Sequence, residues 1–173
     1  HPQAHVQLWW DRDKDIIYVA NAWKKSKVQP YEAWECVKGW ANRIPTAWPH
    51  DGLQTEKGSG KQQKSYYAEA GWDMLEDMAT WEDGGNGVEH GIMELYNRLK
   101  LGTLLFIDGF GMSELFEEFL QFHRDDKGKI VKIQDDLISA LRYAYMMKRF
   151  AKRKYDILYP DDHNEYEPPQ EYW

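Results

Sequence analysis

The stretch from Lys129 to Met147, Lys-Ile-Val-Lys-Ile-Gln-Asp-Asp-Leu-Ile-Ser-Ala-Leu-Arg-Tyr-Ala-Tyr-Met-Met, constrains the fold of this chain more than any other. Its pattern predicts a short strand that becomes a helix, with Asp135 and Asp136 at the joint. Asp135 reads as the N-cap, since its carboxylate suits a free amide of the first turn. Asp136 then takes the first helical position. Leu137, Leu141, Ala144 and Met147 recur at helical spacing and form the expected buried face. Such a face pins the start of the helix, and a pinned carboxylate is what a metal site requires. The same pair has a plain reading as a cap that interacts favourably with the helix dipole. On these residues alone both readings stand.

The rest of the chain sets the context. Its 173 residues fit one domain with a proper core. Hydrophobic residues make up 42% and aromatics 15%, which describes a globular chain rather than a disordered one. No apolar run is long enough to cross a bilayer, and no signal-peptide pattern is visible. Cys36 is the single cysteine, which excludes a disulfide framework and a thiolate zinc site. It falls in a helical pattern and is expected to be a small core residue. The cytoplasm is the default compartment. A net charge of −7 argues against nucleic acid at first, but residues 155–173 hold six of the 29 acids and none of the 22 bases. The body is therefore close to neutral, and local basic patches decide what it binds.

In chain order, Ala4–Trp10 and Ile16–Trp23 predict a hairpin across the polar turn Asp11-Arg-Asp-Lys-Asp15. That turn lacks the glycine and glutamate of a calcium loop. Pro30 opens a helix to about Arg43, with Tyr31, Trp34, Val37 and Ala41 as its stripe. Thr46–Trp48 reads as a short strand that delivers Asp51 to its C-terminal end, the usual ligand edge of an α/β fold. An ordinary Asp-Gly turn is the plainer reading. Glu56-Lys-Gly-Ser-Gly-Lys61 fails as a Walker A loop, since Thr55 and Gln62 stand where glycine and Ser/Thr are needed. No ATP site is therefore expected in this chain. Lys57, Lys61 and Lys64 make this segment basic, suiting a solvated loop or a phosphate contact.

Further helices are expected over Ser65–Gly71, Val88–Leu101 and Ser113–Phe122, and strands over Asp73–Trp81 and Thr103–Ile107. The long last helix is expected to run into the basic segment Lys148–Lys154. The alternation predicts an α/β structure, a mixed central sheet flanked by helices and led by an antiparallel hairpin. Residues 1–154 form the expected domain. Residues 155–173, acidic and aromatic, are expected to be a tail, either unused or a docking peptide. Carboxylates gathered from separate elements call for a cation, and hard oxygen donors select Mg²⁺ or Mn²⁺. Two such ions, roughly 3.5–4 Å apart, suit phosphodiester hydrolysis.

His1-Pro-Gln-Ala-His5, Trp48-Pro-His-Asp-Gly52 and Lys132-Ile-Gln-Asp-Asp-Leu-Ile-Ser-Ala-Leu-Arg-Tyr-Ala144 resemble the nuclease domain of tailed-phage terminase large subunits of the P22-like kind. The resemblance covers about residues 1–153. It implies an RNase H-like fold and a metal-dependent endonuclease that cuts concatemeric viral DNA in the host cytoplasm during head filling. It also implies partners: double-stranded DNA, a portal ring, a small terminase subunit and a preceding ATPase domain. Asp51 matches the family's second acidic position and Asp135-Asp136 the third, with Asp136 the favoured direct ligand. The first acid lies on a strand ahead of His1. Lys57, Lys61, Lys64, Lys129 and Lys132 are the candidate DNA contacts. The competing function is a docking module that binds the portal ring or DNA without cutting, with the tail as its interaction segment.

Overall fold

The computed structural model describes residues 2–131 and 133–158. The hairpin forms as expected, from β1 (Gln3–Asp11) and β2 (Ile16–Lys25). Asp15 closes its turn at φ 51°, a left-handed conformation that aspartate tolerates better than most residues. Arg98 fastens that turn, donating to the Asp15 carbonyl at 2.5 Å and to its carboxylate at 2.7 Å. Gln7 opposes Asn21 while Leu8 opposes Val19, so Ala20 is an extra residue in β2. This bulge shifts the side-chain alternation. Ile17, Val19 and Ala22 all enter one core, and Trp23 enters another.

The chain continues through α1 (Pro30–Ala41), β3 (Pro45–Thr46), α2 (Gln63–Ala70), β4 (Asp73–Met74) and α3 (Val88–Leu101). Then come β5 (Leu104–Phe106), α4 (Met112–Gln121), α5 (Asp136–Met146) and α6 (Lys154–Leu158). β5 joins parallel to β2, giving the order β1-β2-β5, and β3 and β4 form a separate parallel pair. The main sheet is covered on both faces. Ile17, Val19, Leu115, Leu137 and Leu141 are packed together under α4 and α5, fully buried. Trp23, Val37 and Trp72 fill the opposite layer with α1 and α2. Each such aliphatic side chain contributes roughly 1.5–3 kcal/mol.

The loop after β5 lies directly on the bulge. Ala22 donates its amide to the Phe110 carbonyl at 2.8 Å, and Phe110 donates to Asn21 Oδ1 at 3.1 Å. A Cβ on Gly109 would stand 1.9 Å from the Ala20 carbonyl oxygen, so only glycine permits this approach.

Several expected elements differ. The Asp73–Trp81 strand shrinks to two residues, because the Ala79 amide is taken by the Trp48 carbonyl and the Thr80 amide by Met147 Sδ. Among the described residues no strand leads into α5: Ile130 makes an isolated bridge to Arg124, and the Asp125 carboxylate captures the amides of Lys127 and Lys129. α5 stops at Met146 and gives way to a 3₁₀ turn, Lys148–Phe150, so the long basic extension does not form. α4 starts at Met112 after Gly111 in the left-handed region, leaving Ser113 inside the first turn. Cys36 and Tyr31 are exposed, the buried face of α1 being Ala33, Val37 and Ala41. β5 is an edge strand with Leu105 38% exposed, not a fully buried one. The expected tail lies outside the described residues from Tyr159 onward.

Replacing Gly109 by Ala is predicted to cost about 3 kcal/mol of unfolding free energy. Gly58→Ala, whose Cβ would meet nothing within 4 Å, should stay within about 0.5 kcal/mol. Denaturant midpoints at unchanged m-value measure both.

Candidate active site

The first-turn amides of a helix need acceptors from outside the helix. For α5 Asp135 occupies the cap position, at φ −107° and ψ 21°, without capping through its side chain. Its Oδ2 instead faces Ser139 Oγ at 3.4 Å. The acceptor is Glu118 of α4, whose Oε2 takes the amides of Leu137 and Ile138 at 2.8 and 3.1 Å. The expected capping role of Asp135 is thus corrected: a buried carboxylate from another helix reaches those amides. Asp136 is half-buried and has no cationic partner among the described residues.

Asp51 sits in a 3₁₀ turn, His50–Leu53, five residues beyond Thr46 at the end of β3, rather than at the strand's own C-terminal end. Its Oδ1 is 3.0 Å from His50 Nε2 and accepts from Gln54 Nε2 at 3.2 Å. The turn folds over Trp48. A Cβ on Gly52 would lie 2.5 Å from that ring, and the ring's Nε1 donates to the Leu75 carbonyl at 2.7 Å. Lys64 stacks its ammonium 4.6 Å from the Trp48 ring centroid and donates to the Glu76 carbonyl at 3.1 Å. Lys61 pairs with Glu69 and lies over the Tyr66 ring. Lys64 thus supports the Trp48 ring beneath the Asp51 turn, whereas Lys61 is held against α2. Lys57 and Lys129 are exposed, and Lys132 lies outside the described residues.

Asp51 and Asp136 line one cleft of about 1330 Å³, whereas Asp135 does not. The residues of β1 from Gln3 to Trp10 form one wall, and Asn42 to Pro49, with β3, the other. Among the described residues β1 pairs only with β2, and β3 only with β4, so the cleft runs beside two sheet edges that no described strand covers. Gln3 Oε1, His5 Nε2 and Trp40 Nε1 are buried without partners, and all three residues line the cleft. Lys148 also lines it, its ammonium 4.9 Å from the Trp10 ring centroid. Burial, and then the nearby Arg98, pull Lys148 below the ordinary lysine range. Two hard oxygen donors on one cleft, one of them lacking a cation, fit a divalent ion in donor chemistry. Among the described residues no group of three or more His, Cys, Asp or Glu side chains is gathered closely enough to hold a metal ion by itself.

A family model described as Terminase RNaseH-like domain matches residues 1–148. This chain belongs to that family. It is 53% identical over 162 residues to the terminase large subunit of Salmonella phage P22, covering 94% of this chain and 32% of that protein. The large subunit of Enterobacteria phage LP7 is 54% identical, over 86% of this chain and 31% of that protein. The chain thus spans about a third of the length of these curated relatives. Among solved structures, the P22 large terminase nuclease domain superposes with a TM-score of 0.82 at 54% identity, covering 91% of this chain and 80% of that one. The large terminase nuclease domain of bacteriophage SPP1, solved with bound Mn, shares the fold at a TM-score of 0.53 and 21% identity, over 85% and 79% of the two chains.

The RNase H-like fold expected from the resemblance is therefore the fold found, that of a terminase large-subunit nuclease domain. No helix among the described residues is long and apolar enough to cross a membrane. Two site features escaped the sequence. His50 was visible beside Asp51, but its hydrogen bond needs the 3₁₀ turn. Glu118 carried no local signal, since its partners are 19 and 20 residues away.

His5 stacks 5.0 Å from the Trp72 ring centroid, with Trp23 and Tyr67 beside it. Burial lowers its pKa from 6.5 to about 4. Folding therefore expels a proton from His5, costing nothing above pH 6.5 and progressively more as pH falls to about 4. The stability difference between pH 7.5 and pH 4 attributable to this residue is predicted at about 3 kcal/mol. Comparing chemical denaturation of the wild type with His5→Phe, whose profile should be correspondingly flatter, measures it.

Proposed function

We propose that this chain is a metal-dependent endonuclease of a viral DNA-packaging motor, and that it hydrolyses phosphodiester bonds of concatemeric double-stranded DNA. The observation that supports the reading is that Asp51 and Asp136, from separate elements, line the same cleft. The Mn bound in the SPP1 domain of the same fold supports a divalent ion here. Asp51 and Asp136 would hold Mg²⁺ or Mn²⁺, while Asp135, which does not line the cleft, would serve only as the residue that leads into Asp136. When bound, a pair of such ions activates water and neutralises the leaving oxygen.

The chain's own groups do the rest. The 3₁₀ turn over Trp48 orients the Asp51 carboxylate, with His50 and Gln54 fixing one of its oxygens. That leaves Oδ2 for the ion. Lys57 and Lys129 are placed on the surface, suited to phosphate contacts that carry no sequence information. Lys61, Lys64 and Lys132 complete the proposed DNA contacts, Lys64 also supporting Trp48 beneath the Asp51 turn. The third acid of the site belongs, in this reading, to a strand seated between β1 and β3. Such a strand would satisfy both open sheet edges and merge the two sheets. The same reading makes the portal ring, the small terminase subunit and an ATPase domain of the same protein its partners, inside the host cell. Docking without cleavage is the competing function and differs in needing no metal.

Nicking of supercoiled plasmid by the full-length protein distinguishes them. Cutting should occur with Mn²⁺ or Mg²⁺ and stop with EDTA. Asp51→Asn and Asp136→Asn should each lower the rate at least roughly a hundredfold with the fold intact by circular dichroism. Cutting that survives both substitutions, or that ignores EDTA, would overturn the assignment.

A further inference from the structure

Glu118 is one of three polar or charged residues buried in the described structure, at 3% exposure. Burying a carboxylate is costly unless its oxygens are fully engaged. Both are. Oε2 accepts the Leu137 and Ile138 amides, and Oε1 accepts from Lys24 Nζ at 2.5 Å. One carboxylate therefore joins β2, α4 and the N-terminus of α5. It binds immediately after Asp136, a residue that lines the cleft. Gln134, two residues before Asp136, stands at φ 50°, a left-handed conformation unfavourable for glutamine. The backbone entering α5 is thus held in a strained path, and the contacts of Glu118 lie directly downstream.

The arrangement also divides labour between carboxylates. A helix start that is capped by its own aspartate spends that aspartate on amides. Here the amides of residues 137 and 138 are met from α4, and neither Asp135 nor Asp136 caps through its side chain. We infer that Glu118 is a positioning residue of the active site: it caps α5 in place of the aspartates, fixing Asp136 and leaving its carboxylate free for a divalent ion. Lys24 supports the same function by compensating the charge of Glu118. This inference rests on the proposed metal site and deepens it.

Direct Mn²⁺ binding to the full-length protein, followed by electron paramagnetic resonance, separates positioning from mere stability. Glu118→Ala is expected to weaken Mn²⁺ binding roughly tenfold to a hundredfold at a temperature where the variant is fully folded. Glu118→Gln keeps an acceptor oxygen for the amides and should fall between the wild type and Glu118→Ala. Amide hydrogen exchange at Leu137 and Ile138 should accelerate in the same order. Should Glu118→Ala not fold, Glu118→Gln alone decides, by weaker binding together with faster exchange at those two amides. Unchanged Mn²⁺ affinity in the folded variants, with only a lower melting temperature, would overturn the inference. Asp136→Asn, run alongside, isolates the underlying reading. If it keeps wild-type Mn²⁺ affinity, the metal site itself is misassigned. If it loses affinity while the Glu118 variants do not, only the role of Glu118 fails.

Discussion

Burial of the β1–β2 hairpin on both faces governs the arrangement of this domain. A two-stranded ribbon is not stable alone in water. Here Ile17 and Val19 disappear under α4 and α5 while Trp23 disappears under α1 and α2. The bulge at Ala20 allows one strand to serve both layers, and the glycines after β5 let the next loop seal it. With α5 pressed on the sheet through Leu137 and Leu141, its first residue has little freedom. That constraint carries Asp136 to the cleft.

The second constraint is electrostatic. Carboxylates are the cheapest caps for helix amides and the natural ligands of hard cations, and one group does not serve both tasks well. The fold assigns the buried Glu118 to the amides and leaves Asp136 without a cation among the described residues. Asp51 arrives on a turn whose shape depends on the absent Cβ of Gly52 and on the anchored Trp48 ring. Neither acid depends on the other for its position. An ion between them would be received by two independently supported groups, the preorganisation a metal site needs. The open edges of β1 and β3 beside them are a further unmet demand, since exposed strand edges are normally paired or covered.

Much of this was legible in the residues themselves. The hairpin, α1 and α3 follow from alternation and helical spacing, and Gly102 ends α3 in the left-handed region. What failed was decided by long-range partners. The segment before α5 reads as a strand from Ile130, Val131 and Ile133, yet Asp125 takes the nearby amides and no described strand pairs with it. Asp135 reads as a cap by every local rule, and Glu118 displaces it from 17 residues away. Lys61 and Lys64 look like solvated phosphate ligands, whereas Glu69, Tyr66 and Trp48 engage them. Short-range pattern located the acids, and only the fold revealed which oxygens are already taken.

Asp51 and Asp136 are proposed to receive the same divalent ion. Anomalous scattering from crystals of the full-length protein soaked in Mn²⁺ tests it most directly. The account predicts Mn²⁺ density in contact with both carboxylates, with ligand distances near the roughly 2.0–2.6 Å of hard-cation oxygen bonds. Density that touches neither, or that lies only against surface acids elsewhere, would contradict it.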